Sequence, residues 1–485
     1  MPDDPERFEE IIRPYGFEKR ARFLAGGGHR TQDRHARGAR IVGGLEAKEL
    51  PGASSDHAAV ALAVEHDDPF VGSFEHRQKR RLDKVAPSGV FHGHRVAMVD
   101  QQDRNDIGPV LWRGIGAAKG IEMLAVFCSP SRYVQGRDAT EFLGKELKHL
   151  GLAGPALIVA SARVESALSD VWKRSLAAAG IDYVVHRFGG ACSQPEIDAG
   201  VTAARAAGAR VVIGVGGGKC LDTSRAVAAT LSLPMVNCPT LASSDAPCSA
   251  LSVVYNVDGA FDRCIFYPKN PELVLVDTSL VAAAPRRYLV SGMGDALATW
   301  YEARTVIEAR ATNQLGGATT IAARALAELC CRTLFADGVD AALAVDSHAV
   351  TPALERVVEA NTLLSGLGFE SGGLAIAHSV HNGLTAARQT HAFLHGEKVA
   401  FGLLVQLVVE GRPSSELAEV IGFCRSVGLP TKLADIGLAD LDDTSLQAIA
   451  ERTVAPGETA HHEAFRVTAN MIRDGILAAD AIARH

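Results

Sequence analysis

From residue 123 onward, apolar and polar positions follow two patterns in turn. In "ATEFLGKELKHLG", Leu143, Leu147 and Leu150 recur at helical spacing, and "PALIVAS" after them is an unbroken apolar run closed by small polar residues. The first pattern predicts an amphipathic helix and the second a strand buried on both faces. The alternation then repeats. Val164, Leu168, Val171 and Trp172 mark another helix, "DYVVHRF" a strand, "EIDAGVTAARAAG" a helix closed by glycine, and "ARVVIGV" and "PMVNC" further strands. Units of this length predict βαβ crossovers and a parallel sheet.

Beyond about Pro285 the strand signals stop. Long alanine- and leucine-rich segments such as "TIAARALAELCCRTLF" and "EKVAFGLLVQLVVEG" predict helices instead. The expected fold is an α/β, Rossmann-like parallel-sheet domain over residues 123–285, followed by an all-α domain over 286–485. Residues 1–122 read differently. Phrases such as "GGGHRTQDRHARGAR" and "FEHRQKRRLDKV" carry many charges and few periodic apolar positions. That composition buries little apolar surface, so the segment is expected to be a poorly ordered N-terminal extension with no catalytic part.

Composition narrows the class of function. The 485 residues are 47% hydrophobic and 22% charged, with a net charge of -7, which gives no reason to expect nucleic acid or an anionic membrane as partner. The start "MPDDPERFEEI" has no basic and apolar leader pattern, and no run approaches the roughly 18 apolar residues of a membrane span. A cytoplasmic protein is expected. Nine cysteines without a CxxC pair fit reduced thiols better than a disulfide framework.

The stretch "VVIGVGGGKCLDTSRAVA", residues 211–228, places a glycine-rich turn between a strand and a helix. Backbone N–H groups in such a turn approach an anion closely, and the helix adds its positive end. Neither the Rossmann G-x-G-x-x-G nor the Walker A spacing fits, because Lys219 falls where the third Rossmann glycine belongs and Ile213 and Cys220 stand at Walker positions. Tight helix-on-sheet packing would explain the glycines equally well.

The pattern GGGK-x-x-D-T, with Asp222 and Thr223, resembles the glycerol dehydrogenases of the iron-containing (group III) alcohol dehydrogenase and dehydroquinate synthase superfamily. "PTLASSDAPCSALSVVY", "SGMGDALATWYEA", "ESGGLAIAHSVHNGLT" and "HGEKVAFG" resemble that family's segments in order and spacing. The likeness runs from about Met123 to the C-terminus. It implies an NAD site in which Gly216, Gly217, Gly218 and Lys219 meet the pyrophosphate, with Asp222, Thr240, Ser243, Ser249, Leu251 and Tyr255 as further cofactor residues. It implies substrate-side roles for Asp245 and for His381, the latter in proton transfer. Its metal ligands fall on Asp295, His378 and His395.

One carboxylate with two imidazoles suits a divalent metal that keeps an open position, zinc or ferrous iron. Without the family, Asp295 also reads as a helix-terminal acid, and each histidine as a satisfied core or surface group. His391 reads as structural or as lining the approach, and His461 and His462 as surface residues. The implied reaction is NAD- and metal-dependent oxidation of glycerol, or a related vicinal diol, to the hydroxyketone. The alternatives are a dehydroquinate synthase-like or glycerol-1-phosphate dehydrogenase activity on the same fold, or a catalytically degenerate binding protein. The expected partners are a small polyol and, by family, further copies of the chain. One departure concerns the cofactor. Where the family commonly has an aspartate facing the adenosine ribose, this chain has Ser161, with Arg163 two residues on. Loss of the acid removes a repulsion against a 2′-phosphate and implies weak discrimination against NADP.

Overall fold

The computed structural model describes residues 123–256 and 261–485. The expected N-terminal extension therefore lies outside the described residues. The chain enters a short strand β1 (Tyr133–Gly136) and a first helix α1 (Leu143–His149). Strands and helices then alternate through β2 (Ala156–Ala160), α2 (Ala162–Ala179), β3 (Tyr183–Arg187), α3 (Gln194–Ala206), β4 (Val211–Gly216), α4 (Gly218–Thr230) and β5 (Met235–Pro239). A hairpin of β6 (Leu251–Tyr255) and β7 (Phe261–Phe266) precedes β8 (Leu273–Asp277).

Six strands form one parallel sheet in the order β1-β8-β5-β4-β2-β3. The apolar runs are continuous because both faces are covered. Ile158 and Ala160 of β2 pack with Leu143, Leu147, Trp172 and Leu176 on one side. Leu157 and Val159 face the other side, against Ile197, Val201 and Val227. Strand order reverses between β2 and β4, so the turns after these two strands, at Ser161 and Gly217, flank the switch point where open sheets bind ligands. The antiparallel β6–β7 hairpin lies outside the strands read from the alternating pattern.

Only helices and short helical turns follow β8 among the described residues: α5 (Thr278–Ala283), α6 (Arg286–Ala309), α7 (Ile321–Asp346), α8 (Pro352–Glu359), α9 (Ser365–Gly372), α10 (Ile376–Leu384), α11 (His395–Val409), α12 (Ser414–Val427), α13 (Asp443–Thr453) and α14 (Ala469–Ile482). Thr320, Thr351, Asp442 and Thr468 cap four of them through side-chain oxygens. Helices α8 and α9 join through a π turn, Ala360–Leu364, of the kind that often marks functional positions in helices. The helical core includes Met293, Leu297, Val380, Phe401 and Leu404. No helix among the described residues is long and apolar enough to cross a membrane.

Candidate active site

The glycine turn divides into two kinds of position. A Cβ at Gly214 would come within 2.6 Å of Ser224 Oγ, and one at Gly216 within 2.9 Å of Cys220 Cβ. Helix-on-strand packing explains those two. At Gly217 and Gly218 a Cβ would meet only Leu241 Cδ1 at 3.5 Å and Ser244 Oγ at 3.8 Å, which is ordinary contact. Both glycines are half-exposed and neither has a positive φ. Among the described residues nothing forbids a side chain there, so the open cradle at the start of α4 suits close backbone approach of an anionic ligand. Lys219 is exposed, with its ammonium 5.2 Å from the centre of the Tyr255 ring.

Ser161 ends β2 and caps α2, its hydroxyl accepting from the Val164 N–H at 3.3 Å. Thr240 donates its N–H to the Gly216 carbonyl at 3.1 Å, which keeps the loop after β5 beside the glycine turn. Ser243 is half-exposed in that loop, and its carbonyl accepts from Ser291 Oγ at 3.2 Å. The Ser249 hydroxyl is buried and donates to Ala246 O at 3.1 Å. Asp222 is buried too, paired with Arg225 at 2.9 Å, and its carbonyl accepts from Ser252 Oγ. Arg225 in turn donates to the carbonyls of Ala246 and Leu251. The Asp222 carboxylate is thus committed to the scaffold and reaches the cofactor region only through the hairpin it holds. Burial pushes its carboxyl up to about 6 in spite of Arg225.

Asp295 of α6, His378 of α10 and His395 at the start of α11 converge across the helical half. Their ligand atoms lie within 4.8 Å of one another. Asp295 Oδ1 is fully buried, 3.0 Å from His395 Nε2 and 3.3 Å from His378 Nε2, yet has a hydrogen bond with neither. An orphaned carboxylate oxygen facing two imidazole nitrogens fits a divalent cation between them. Burial alone would raise Asp295, but His395 and His378 override it and hold its carboxyl well below the usual range. The cage rests on backbone contact. A Cβ at Gly396, next to the ligand His395, would stand 1.8 Å from the Ser291 carbonyl of α6.

Asp245 borders the cage from the loop after β5. Its N–H donates to Asp295 Oδ2 at 3.2 Å, and its Oδ2 accepts from Ser365 Oγ at 2.9 Å. Burial, and then the neighbouring Asp295, raise its carboxyl well above the ordinary value. His381 stands against His395, with Nε2 3.1 Å from His395 Nδ1 and Nδ1 3.1 Å from Asn382 Oδ1. Burial, and then His395 and Lys398, lower it well below an ordinary histidine.

Glu302 lies inside the quoted segment "SGMGDALATWYEA", seven residues after Asp295 on the same face of α6, but was given no role there. It is fully buried, with Oε2 2.5 Å from His378 Nδ1, and its Oε1 accepts the N–H groups of Ala375 and His378 at 2.9 and 3.0 Å. Among the remaining histidines, exposed His391 bonds the Thr385 carbonyl and exposed His461 the Val454 carbonyl. His462 departs from the surface reading: it is half-buried and bonds the Leu374 carbonyl at 2.8 Å, just ahead of α10.

Comparison with known proteins identifies the family. The family model described as iron-containing alcohol dehydrogenase matches residues 130–278. A glycerol dehydrogenase of Pseudomonas putida is 49% identical over 357 residues, covering 74% of this chain and 97% of the relative. A glycolaldehyde reductase of Halobacterium salinarum is 47% identical over 362 residues, covering 75% of this chain and 99% of the relative. The crystal structure of glycerol dehydrogenase from Schizosaccharomyces pombe matches with a TM-score of 0.71 at 38% identity, covering 75% of this chain and 93% of that one. With near-complete coverage of these relatives and the cradle and cage in place, the chain belongs to the iron-containing alcohol dehydrogenase family, alongside its glycerol dehydrogenases.

Proposed function

We propose that this chain oxidises glycerol, or a closely related vicinal diol, to the hydroxyketone, with NAD as hydride acceptor and a divalent metal, zinc or ferrous iron, held by Asp295, His378 and His395. The observation that carries the metal part is the buried, orphaned Asp295 Oδ1 between two imidazoles. When bound, the cation supplies Lewis acidity at the substrate hydroxyl and the nicotinamide supplies the hydride acceptor. The chain's own residues do the rest. The N–H groups at Gly217 and Gly218 and the Lys219 ammonium hold the cofactor's diphosphate, with Thr240, Ser243, Leu251 and Tyr255 along its path. Asp245, held by Ser365, offers a hydrogen bond on the substrate side. The apolar and small residues of α6, α10 and α11 keep water from the reacting centre.

The test is NADH absorbance with glycerol, before and after chelation and after return of zinc. Activity that survives complete metal removal overturns the proposal. The glycolaldehyde reductase relative supports a second reading, in which the favoured substrate is a small hydroxy-aldehyde reduced on the same site. Comparing kcat/KM for glycerol oxidation and glycolaldehyde reduction on one preparation separates the two. The rival in which the chain is a degenerate binding protein is disfavoured because all three ligands converge.

A further inference from the structure

A histidine binds a metal through one ring nitrogen only if the other carries the proton, so each ligand's tautomer has to be set from behind. In this chain both ligands have such a partner. Behind His378, the Glu302 carboxylate lies 2.5 Å from Nδ1, and as an acceptor it keeps the proton on Nδ1 and leaves Nε2 bare toward Asp295. The other oxygen of Glu302 accepts two backbone N–H groups at the start of α10, so the carboxylate cannot turn away.

Behind His395, the polarity can be followed through four residues. With Nε2 of His395 facing Asp295, its Nδ1–H donates to His381 Nε2. His381 then donates from Nδ1 to Asn382 Oδ1. Asn382 Nδ2 donates to Glu458 Oε2 at 2.9 Å, and Glu458 is anchored by Arg452. Every group in this line acts as donor or acceptor without conflict, and both nitrogens of His381 are engaged.

We infer that Glu302 and His381 are positioning residues that hold His378 and His395 in the metal-binding tautomer, and that His381 acts through His395 rather than as a carrier of the substrate proton. This inference rests on the proposed metal site and deepens it. A glutamine at 302 keeps the shape but reverses one donor. Either its amide N–H₂ faces His378 Nδ1 and drives the proton to Nε2, or it faces the two backbone N–H groups and loses them. A glutamine at 381 still presents an acceptor oxygen where Nε2 stood, whereas leucine presents none.

The test is zinc affinity of the metal-stripped protein, measured by competition with a chromogenic chelator, alongside kcat and thermal unfolding of the full chain. Glu302→Gln and His381→Leu are expected to weaken zinc roughly 10- to 100-fold. His381→Gln is expected to stay within about threefold of the parent in zinc affinity, with kcat largely retained. Glu302→Asp, which keeps the charge and shortens the reach, is expected to fall between and serves if Glu302→Gln does not fold. Parental zinc affinity in the Glu302 variants overturns the role of Glu302. Loss of kcat in His381→Gln equal to that in His381→Leu, with zinc still bound, makes His381 the proton carrier and overturns its role here. Asp295→Asn separates the layers: if it still binds zinc like the parent, the metal site itself is wrong and the inference falls with it.

Discussion

Replacing Gly218 by alanine isolates the ligand's claim on the glycine turn from the fold's. The new methyl group would sit 3.8 Å from Ser244 Oγ, its nearest neighbour among the described residues beyond the adjoining backbone, and the backbone at 218 is already helical. No clash and no strain follow, and alanine is the better helix former by up to about 1 kcal/mol in a helix interior, less at the first position. The unfolding temperature should therefore hold or rise slightly. Cofactor binding should not. The methyl occupies the space from which the N–H groups at the start of α4 approach a phosphate oxygen. Losing one hydrogen bond to a charged group costs about 1.5–3 kcal/mol, which converts to roughly 10- to 150-fold in Kd for NAD. Calorimetric NAD titration, KM for NAD from NADH absorbance and a thermal unfolding scan measure the three quantities. Gly214→Ala is the control, because its methyl would meet Ser224 Oγ at 2.6 Å, and overpacking of this kind costs about 1–3 kcal/mol of stability. If Gly218→Ala binds NAD within twofold of the parent, the open cradle is not the diphosphate site.

Four further outcomes are expected. Asp295→Asn and His395→Ala should lose bound metal, read by elemental analysis, and nearly all turnover, while keeping the parental circular dichroism spectrum. Ser161→Asp keeps a capping oxygen for the Val164 N–H, so stability should hold while the ratio of kcat/KM for NAD over NADP rises; an unchanged ratio would show that residue 161 does not face the ribose. Glu463 is pushed up to about 8 by burial and by Glu410, whereas an unfolded glutamate titrates near 4.3. Between roughly those two values the folded chain holds a proton that the unfolded chain has released, so this group's contribution to stability is present at low pH and is lost as pH rises through about 8. Glu463→Gln should flatten that slope in urea unfolding at pH 6 and pH 8. Finally, because 357 residues of this chain suffice to cover 97% of the Pseudomonas putida relative, protein begun at Met123 should turn over glycerol like the full chain; aggregation or inactivity would make residues 1–122 necessary.

The strands β2, β3, β4 and β5 were readable because helices with clear apolar faces separate their apolar runs. β8 carries the same signal in "LVLVD", but a hairpin precedes it instead of a helix, so the alternation that exposes the other strands is missing there. β1 spans four residues, two of them polar or glycine, and is a strand because it pairs with β8. The site divides in the same way. Asp295, His378 and His395 were legible through their motifs. Asp222 belongs to the same motif as the glycines, yet its carboxylate is turned inward to Arg225, and no sequence spacing distinguishes a residue that touches a ligand from one that braces the loop beside it. The role of Glu302, which sits in the same segment as Asp295, was invisible for a related reason. Its partner His378 is 76 positions away, and only the packing of α6 against α10 brings them together.

The hydrogen bond from the Asp245 amide to Asp295 Oδ2 ties the loop beside the cofactor cradle directly to the carboxylate of the metal cage. Two ligands that share such a link are bound by reciprocity: whatever factor an occupied metal site applies to the affinity for NAD, bound NAD applies to the affinity for the metal. Zinc dissociation measured with and without saturating cofactor therefore closes a thermodynamic square with NAD dissociation measured with and without zinc. A factor different from one in that square would make resistance to chelators depend on the cofactor supply as much as on the three ligands.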